Sequence, residues 1–144
     1  NQPKNSFKFF DIGKFRIGIL ICWDQWYARS YEYMRKNNVN LIICPTAIGF
    51  CKIKNKNISL RGEREKWLNV ITANSLMINT PVVICNRIGT ESDKDHSISF
   101  WGSSFITDSS GTVVKRCLTD QRVIHHKIAI GDQITAKSMW NFID

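Results

Sequence analysis

Apolar and polar positions divide the chain into short elements. Phe7 to Ile12 alternates loosely and is rich in aromatics. Gly13-Lys14 reads as a turn and Phe15 to Ile21 as a buried strand, so the two predict a hairpin running straight into Cys22. The spacing of Tyr27, Tyr31 and Met34 predicts a helix over 27–38, stopped by Asn37-Asn38. Asn40 to Cys44 is a short apolar strand ending at Pro45. Strand, helix, strand in that order predicts a parallel crossover, which is right-handed in nearly all known cases. A basic loop is expected from Gly49 to about Ser59. Leu60 to Asn79 predicts the longest helix, with Trp67, Leu68, Ile71, Ser75 and Ile78 on one buried stripe. Pro81 to Cys85 reads as the next buried strand, Gly89 to Ser97 as a polar loop, and Ile98 to Thr107 as a strand broken by Gly102. Asp108 to Gly111 has the composition of a turn. Thr112 to Arg116 and Val123 to Ile130 predict antiparallel strands of a meander, with Asp132 capping a further helix. No linker or repeat interrupts residues 1–144, so one α/β unit is expected.

Composition excludes several classes. With 144 residues, 43% hydrophobic and 22% charged, the chain is long enough to bury a core and is neither disordered nor collagen-like. The longest apolar runs, such as Ile19 to Cys22, fall far short of the roughly 18 residues that span a bilayer. The net charge of +8 invites a nucleic-acid or anionic partner, but the basic residues are spread along the chain and no nucleic-acid motif accompanies them. A solvated basic surface is the stronger reading. Five cysteines, an odd number, cannot close a full disulfide framework and fit a reducing compartment, hence a cytoplasmic location. Cys44 and Cys85 lie within apolar runs and read as buried thiols. Zinc-ligand spacing is absent, so no metal is expected.

Cys22 is the sharpest candidate for chemistry, at the point where Ile19-Leu20-Ile21 gives way to Cys22-Trp23-Asp24-Gln25-Trp26. A nucleophile at a strand-to-helix turn stands at the sheet's edge, where backbone N–H groups stabilise an oxyanion and favour a thiolate. Its usual partner is missing. His96 falls in a polar loop, and His125 and His126 are adjacent in a predicted strand, so a Cys–His pair has little support. Asp24 and Gln25 either bind substrate polar groups or, for Asp24, cap the helix. Trp23, Trp26 and Tyr27 form an aromatic cluster that serves either the site or the core. Thr46-Ala47 follows the next strand and Asn86-Arg87 the one after, so three strand ends converge, which is where α/β proteins build sites.

Together these residues resemble a known family. Gly18-Ile19-Leu20-Ile21-Cys22-Trp23-Asp24-Gln25-Trp26-Tyr27 resembles the nucleophile segment of the nitrilase superfamily, the carbon–nitrogen hydrolases. The Cys-Trp-Asp-Gln-Trp form is most similar to the N-carbamoylputrescine amidohydrolase branch. The match continues through Pro45-Thr46-Ala47-Ile48-Gly49, Trp67, Asn86-Arg87-Ile88-Gly89-Thr90-Glu91 and Phe100-Trp101-Gly102-Ser103-Ser104-Phe105-Ile106, in family order over nearly the whole chain.

The resemblance implies a four-layer αββα sandwich and a Glu-Lys-Cys catalytic set without cofactor. Cys22 matches the nucleophile and the Trp23 backbone N–H an oxyanion donor. Asp24, Trp26, Thr46, Ala47, Asn86, Arg87 and Trp101 become the candidate substrate-binding residues. The Glu and Lys match no residue here, so the chain reads as the C-terminal portion of a longer enzyme, incomplete at the N-terminus and at the C-terminus. The implied reaction is hydrolysis of a linear amide or carbamoyl C–N bond, with N-carbamoylputrescine giving putrescine, CO2 and ammonia. The alternative is an inactive fragment or pseudoenzyme that keeps the fold without the Glu and Lys. The family's dimerisation implies a homo-oligomer through helices 27–38 and 60–79, supported by the apolar Tyr31, Tyr33, Met34, Trp67, Leu68 and Met77. No nucleic-acid or membrane partner is expected. Ala28-Arg29 departs from the family's usual Pro-Glu and puts a positive charge at a helix start, against the dipole.

Overall fold

In the computed structural model, residues 7–53, 62–117 and 123–128 are described. The first hairpin forms as the alternation predicts: β1 (Lys8–Ile12) pairs antiparallel with β2 (Phe15–Ile19), Lys8 opposite Ile19. A 3-10 turn, Cys22–Trp26, and helix α1 (Ala28–Lys36) lead to β3 (Leu41–Thr46), which runs parallel to β2. After β4 (Gly49–Ile53), helix α2 (Glu63–Ile78) leads to β5 (Val82–Asn86), parallel to β3, with Thr46 opposite Asn86. Asn79 ends α2 in the left-handed conformation at φ 53°, a common helix stop. Beyond these lie β6 (Ile88–Ser92), β7 (His96–Trp101), β8 (Phe105–Thr107) and β9 (Val113–Arg116). The main sheet has the order β1-β2-β3-β5-β8-β9, and β4-β7-β6 form a second, antiparallel sheet.

Both helices bury one stripe against one face of the main sheet. Tyr31 and Met34 from α1, and Trp67, Ile71 and Ile78 from α2, meet Leu20, Ile42, Cys44, Val82, Ile84 and Phe105. Ser75 replaces a hydrocarbon in that stripe because its hydroxyl is bonded to the Thr80 carbonyl at 2.8 Å and to Thr107 Oγ1 at 2.9 Å. Gly18 lets α1 approach the sheet, since a Cβ there meets Met34 Sδ at 2.4 Å. The opposite face carries no helix among the described residues and leaves Cys85 exposed and Ile17, Ile19, Ile43 and Val83 only half-buried. One helical layer on one main sheet is half of an αββα sandwich.

Several expectations need correction. Gly49–Ile53 is strand rather than basic loop, and residues 54–61 lie outside the described part. Gly89–Ser97 is the β6-β7 hairpin, not a loop: every β6 residue is exposed, so no inward row marks the strand, and its backbone ladder to β7 defines it instead. The break at Gly102 separates β7 and β8 into different sheets. Residues 123–128 carry no strand, and the helix expected near Asp132 lies outside the described residues. Cys85 is exposed, because strand alternation turns it away from the face on which Val82, Ile84 and Asn86 are buried. Tyr31, Met34 and Trp67 are fully buried against the sheet and present nothing to a second subunit. Leu76 and Met77 are the large apolar residues that α2 leaves exposed.

Candidate active site

The parallel ladder brings the ends of β2, β3 and β5 side by side. Leu20 N–H still bonds the Ile43 carbonyl at 3.1 Å, and then the chain leaves the sheet. Cys22 follows at φ 47°, a left-handed conformation uncommon for a residue with a Cβ and usual only where surroundings hold it. The turn is closed on itself: Asp24 N–H bonds the Ile21 carbonyl and Asp24 Oδ2 accepts the Ile21 N–H, both at 3.0 Å. Of the two roles open to Asp24, the structure shows capping: Oδ2 closes the turn.

Gln25 is the keystone of the turn and is fully buried. Its Nε2 donates to the Cys22 carbonyl at 2.5 Å and to Thr46 Oγ1 at 3.0 Å, and its Oε1 accepts the Trp67 indole N–H at 2.9 Å. The Tyr31 hydroxyl donates to the Gln25 carbonyl at 3.1 Å. The turn is therefore bolted to β3, α1 and α2 at once. An indole N–H only donates, so Trp67 fixes which end of the Gln25 amide faces Cys22. Sequence reading had placed Gln25 at the cleft mouth. Its polarity was visible, but its distant partners Thr46 and Trp67, 21 and 42 residues away, were not.

Asn86, at the end of β5, is also a brace. Its Nδ2 donates to the carbonyls of Ile48 and Gly102, and its Oδ1 accepts the Ile48 N–H at 2.9 Å. Both amide hydrogens are engaged, so Asn86 ties the main sheet to the second sheet rather than offering a donor to a ligand. Arg87 N–H bonds the Thr46 carbonyl at 3.0 Å, but its exposed side chain pairs with Glu91 at 2.5 Å and lies 4.6 Å over the Phe100 ring. Ala47 is exposed. An open cleft of about 400 Å³ beside the turn is lined by Trp23, Trp26, Tyr27, Ile48, Gly49, Glu63 and Trp101. Of the expected binding residues, Trp26 and Trp101 line it, with the Trp23 ring tilted at 51° to Trp26 and 5.8 Å from it.

The carbon-nitrogen hydrolase family model matches residues 2–137. The chain belongs to the carbon-nitrogen hydrolase family. It is 34% identical to an N-carbamoylputrescine amidase of Oryza sativa subsp. japonica, over 80% of this chain and 38% of that protein. It is 31% identical to a citrullinase of Francisella tularensis, over 74% of this chain and 36% of the relative. Its fold is similar to the crystal structure of a carbon-nitrogen hydrolase from Helicobacter pylori G27, with a TM-score of 0.77 and 24% identity over 90% of this chain and 45% of that one. The chain thus spans less than half the length of each of these proteins.

In this carbon-nitrogen hydrolase chain the five cysteines are all free, but their settings differ. Cys44 sits on the buried face of β3, and burial pushes its thiol up to about 12. The neighbouring Cys22 and Asp24 add to the rise, and a backbone N–H bond from Cys22 works against it. Cys44 stays protonated and inert. Burial also raises the Tyr31 hydroxyl, so it remains a donor. Cys22 alone sits on a strained strand-to-helix turn, half-buried beside an aromatic cleft. Arg29, in place of the usual acidic residue, lies exposed with its guanidinium 5.1 Å over the Tyr27 ring. That stacking holds the charge at the start of α1. Among the described residues no cluster of three His, Cys, Asp or Glu side chains could hold a metal, and no helix is long and apolar enough to cross a membrane.

Proposed function

We propose that this chain carries the nucleophile half of a thiol-dependent hydrolase acting on the terminal carbamoyl or amide group of a linear substrate. The observation that carries the reading is Cys22 itself: a thiol on left-handed backbone at a strand end, with the N–H of Trp23 following in the first turn. The thiolate attacks the carbonyl carbon, and the Trp23 N–H supports the oxyanion. Ammonia leaves, and water hydrolyses the thioester. N-Carbamoylputrescine is the leading substrate, with citrulline the nearest rival, since both carry a ureido group on a short alkyl chain. The aromatic walls of the cleft suit such a chain ending in a cation, while Glu63, also in the lining, is already paired with Lys66 Nζ at 2.6 Å.

The general base and the second oxyanion donor come from outside this sequence. The isolated 144-residue chain is therefore expected to show no turnover of N-carbamoylputrescine, while the full-length protein hydrolyses it. A full-length protein that is folded but inert on both ureido substrates would favour the pseudoenzyme instead. Association between copies, if helical, uses the outer face of α2 at Leu76 and Met77. Five free thiols support a reducing, cytoplasmic setting.

A further inference from the structure

We infer that Gln25 is the positioning residue that aims the oxyanion donor, by gripping the opposite edge of the same peptide unit. The inference rests on the nucleophile reading of Cys22 and extends it to a residue that touches no substrate.

The Cys22 carbonyl and the Trp23 N–H belong to one planar trans peptide, so they point in opposite directions and turn together. Gln25 Nε2 holds the carbonyl from below at 2.5 Å, from a side chain with no exposed surface. With the carbonyl held toward the core, the N–H is turned away from it. Among the described residues that N–H has no acceptor, as expected of a donor in the first turn of a helix. Left-handed backbone at Cys22 needs an external hold, and the grip on its carbonyl supplies one. The grip cannot rotate away: Thr46 Oγ1 takes the second amide hydrogen at 3.0 Å, and the Trp67 indole at 2.9 Å pins the amide oxygen. Every polar atom of the Gln25 side chain is thus engaged in fixing one peptide plane.

The test uses the full-length protein with Gln25→Met, which keeps the side chain's length and removes its hydrogen bonds, and Thr46→Val, which is isosteric and loosens the grip. Two rates are read for each: amide turnover, which needs the oxyanion donor, and alkylation of Cys22 by iodoacetamide, a displacement that forms no oxyanion. The expected result for Gln25→Met is a kcat lower by about 10²-fold with KM little changed and alkylation unchanged. Thr46→Val should show the same split at about tenfold, and it decides the matter if Gln25→Met does not fold. Unchanged kcat in a folded Gln25→Met, or in Thr46→Val where that variant must decide, overturns the inference. So does a parallel fall in turnover and alkylation, which would place the effect on the thiol. Cys22→Ala separates the two levels of the argument: turnover surviving that change removes the nucleophile reading, whereas turnover lost there but kept in Gln25→Met removes only the role of Gln25.

Discussion

The ends of β2 and β5 leave the same edge of one sheet, separated only by β3, and they are built for opposite purposes. At the first, the side chain of the candidate nucleophile Cys22 is left half-buried, and a hydrogen bond from Gln25 holds its backbone carbonyl. At the second, the polar side chain is itself consumed: Asn86 bonds the main chain on both sides of the gap between the sheets. Asn86 has both its side chain and its backbone bonded, the backbone N–H to Ser104 Oγ at 2.9 Å, whereas at Cys22 the bond from Gln25 falls on the backbone carbonyl; what separates the two ends is whether the side chain itself is engaged.

The contrast breaks most sharply at the two residues themselves. In the full-length protein, Cys22→Ala should reduce turnover to background, a loss of at least about 10³-fold, with the thermal transition unchanged within error. Substantial residual turnover would mean the β2 end is not the reactive one. Asn86→Ala should do the reverse on stability. Losing three bonds and stranding Ile48 and Gly102 backbone groups should cost roughly 2–4 kcal/mol in urea unfolding. A loss below about 0.5 kcal/mol would show that water replaces the brace freely.

A smaller effect separates the two thiols nearest the turn. The Cys44 thiol is raised in the folded state, from an ordinary 9 to about 12, so its contribution to stability is complete below pH 9 and is lost as pH rises toward 12. Between pH 8 and pH 10, wild type should lose about 1 kcal/mol more than Cys44→Val. Equal losses would mean that burial does not hold the thiol protonated. Smallest of all, Arg87→Ala should shift stability by no more than about 0.5 kcal/mol, because its pair with Glu91 is exposed. A larger shift would give the exposed corner after β5 a structural role that its bonds do not suggest.

The same contrast explains what was legible in the sequence. Buried strands and the βαβ order were readable because apolar runs and helical spacing record which side faces the core. The β6-β7 hairpin was only half readable: a strand from Ile98 onward was visible, but β6, exposed at every residue, leaves no pattern. Cys85 misled for a related reason: an apolar run marks a strand but not which of its residues point inward. Cys22 was legible by position, at the junction of an apolar run and a polar segment. Gln25 and Asn86 were legible only as polar letters near a site. Their roles depend on partners 42 and 38 residues away, contacts that the fold creates and local sequence does not record. Of the apolar residues of α1 and α2 read as a possible interface, Tyr31, Met34 and Trp67 are buried by the sheet beneath, while Met77 is exposed.

The central claim is that the β2 end forms a covalent bond to substrate through Cys22. The most direct measurement is mass-spectrometric peptide mapping of the full-length protein, acid-quenched during turnover of an amide whose thioester is slow to hydrolyse. The account predicts a single acyl group on the peptide containing Cys22, absent in Cys22→Ala. Acylation at Cys51, Cys85 or Cys117 instead, or turnover with no acyl group on Cys22 at any quench time, would contradict it.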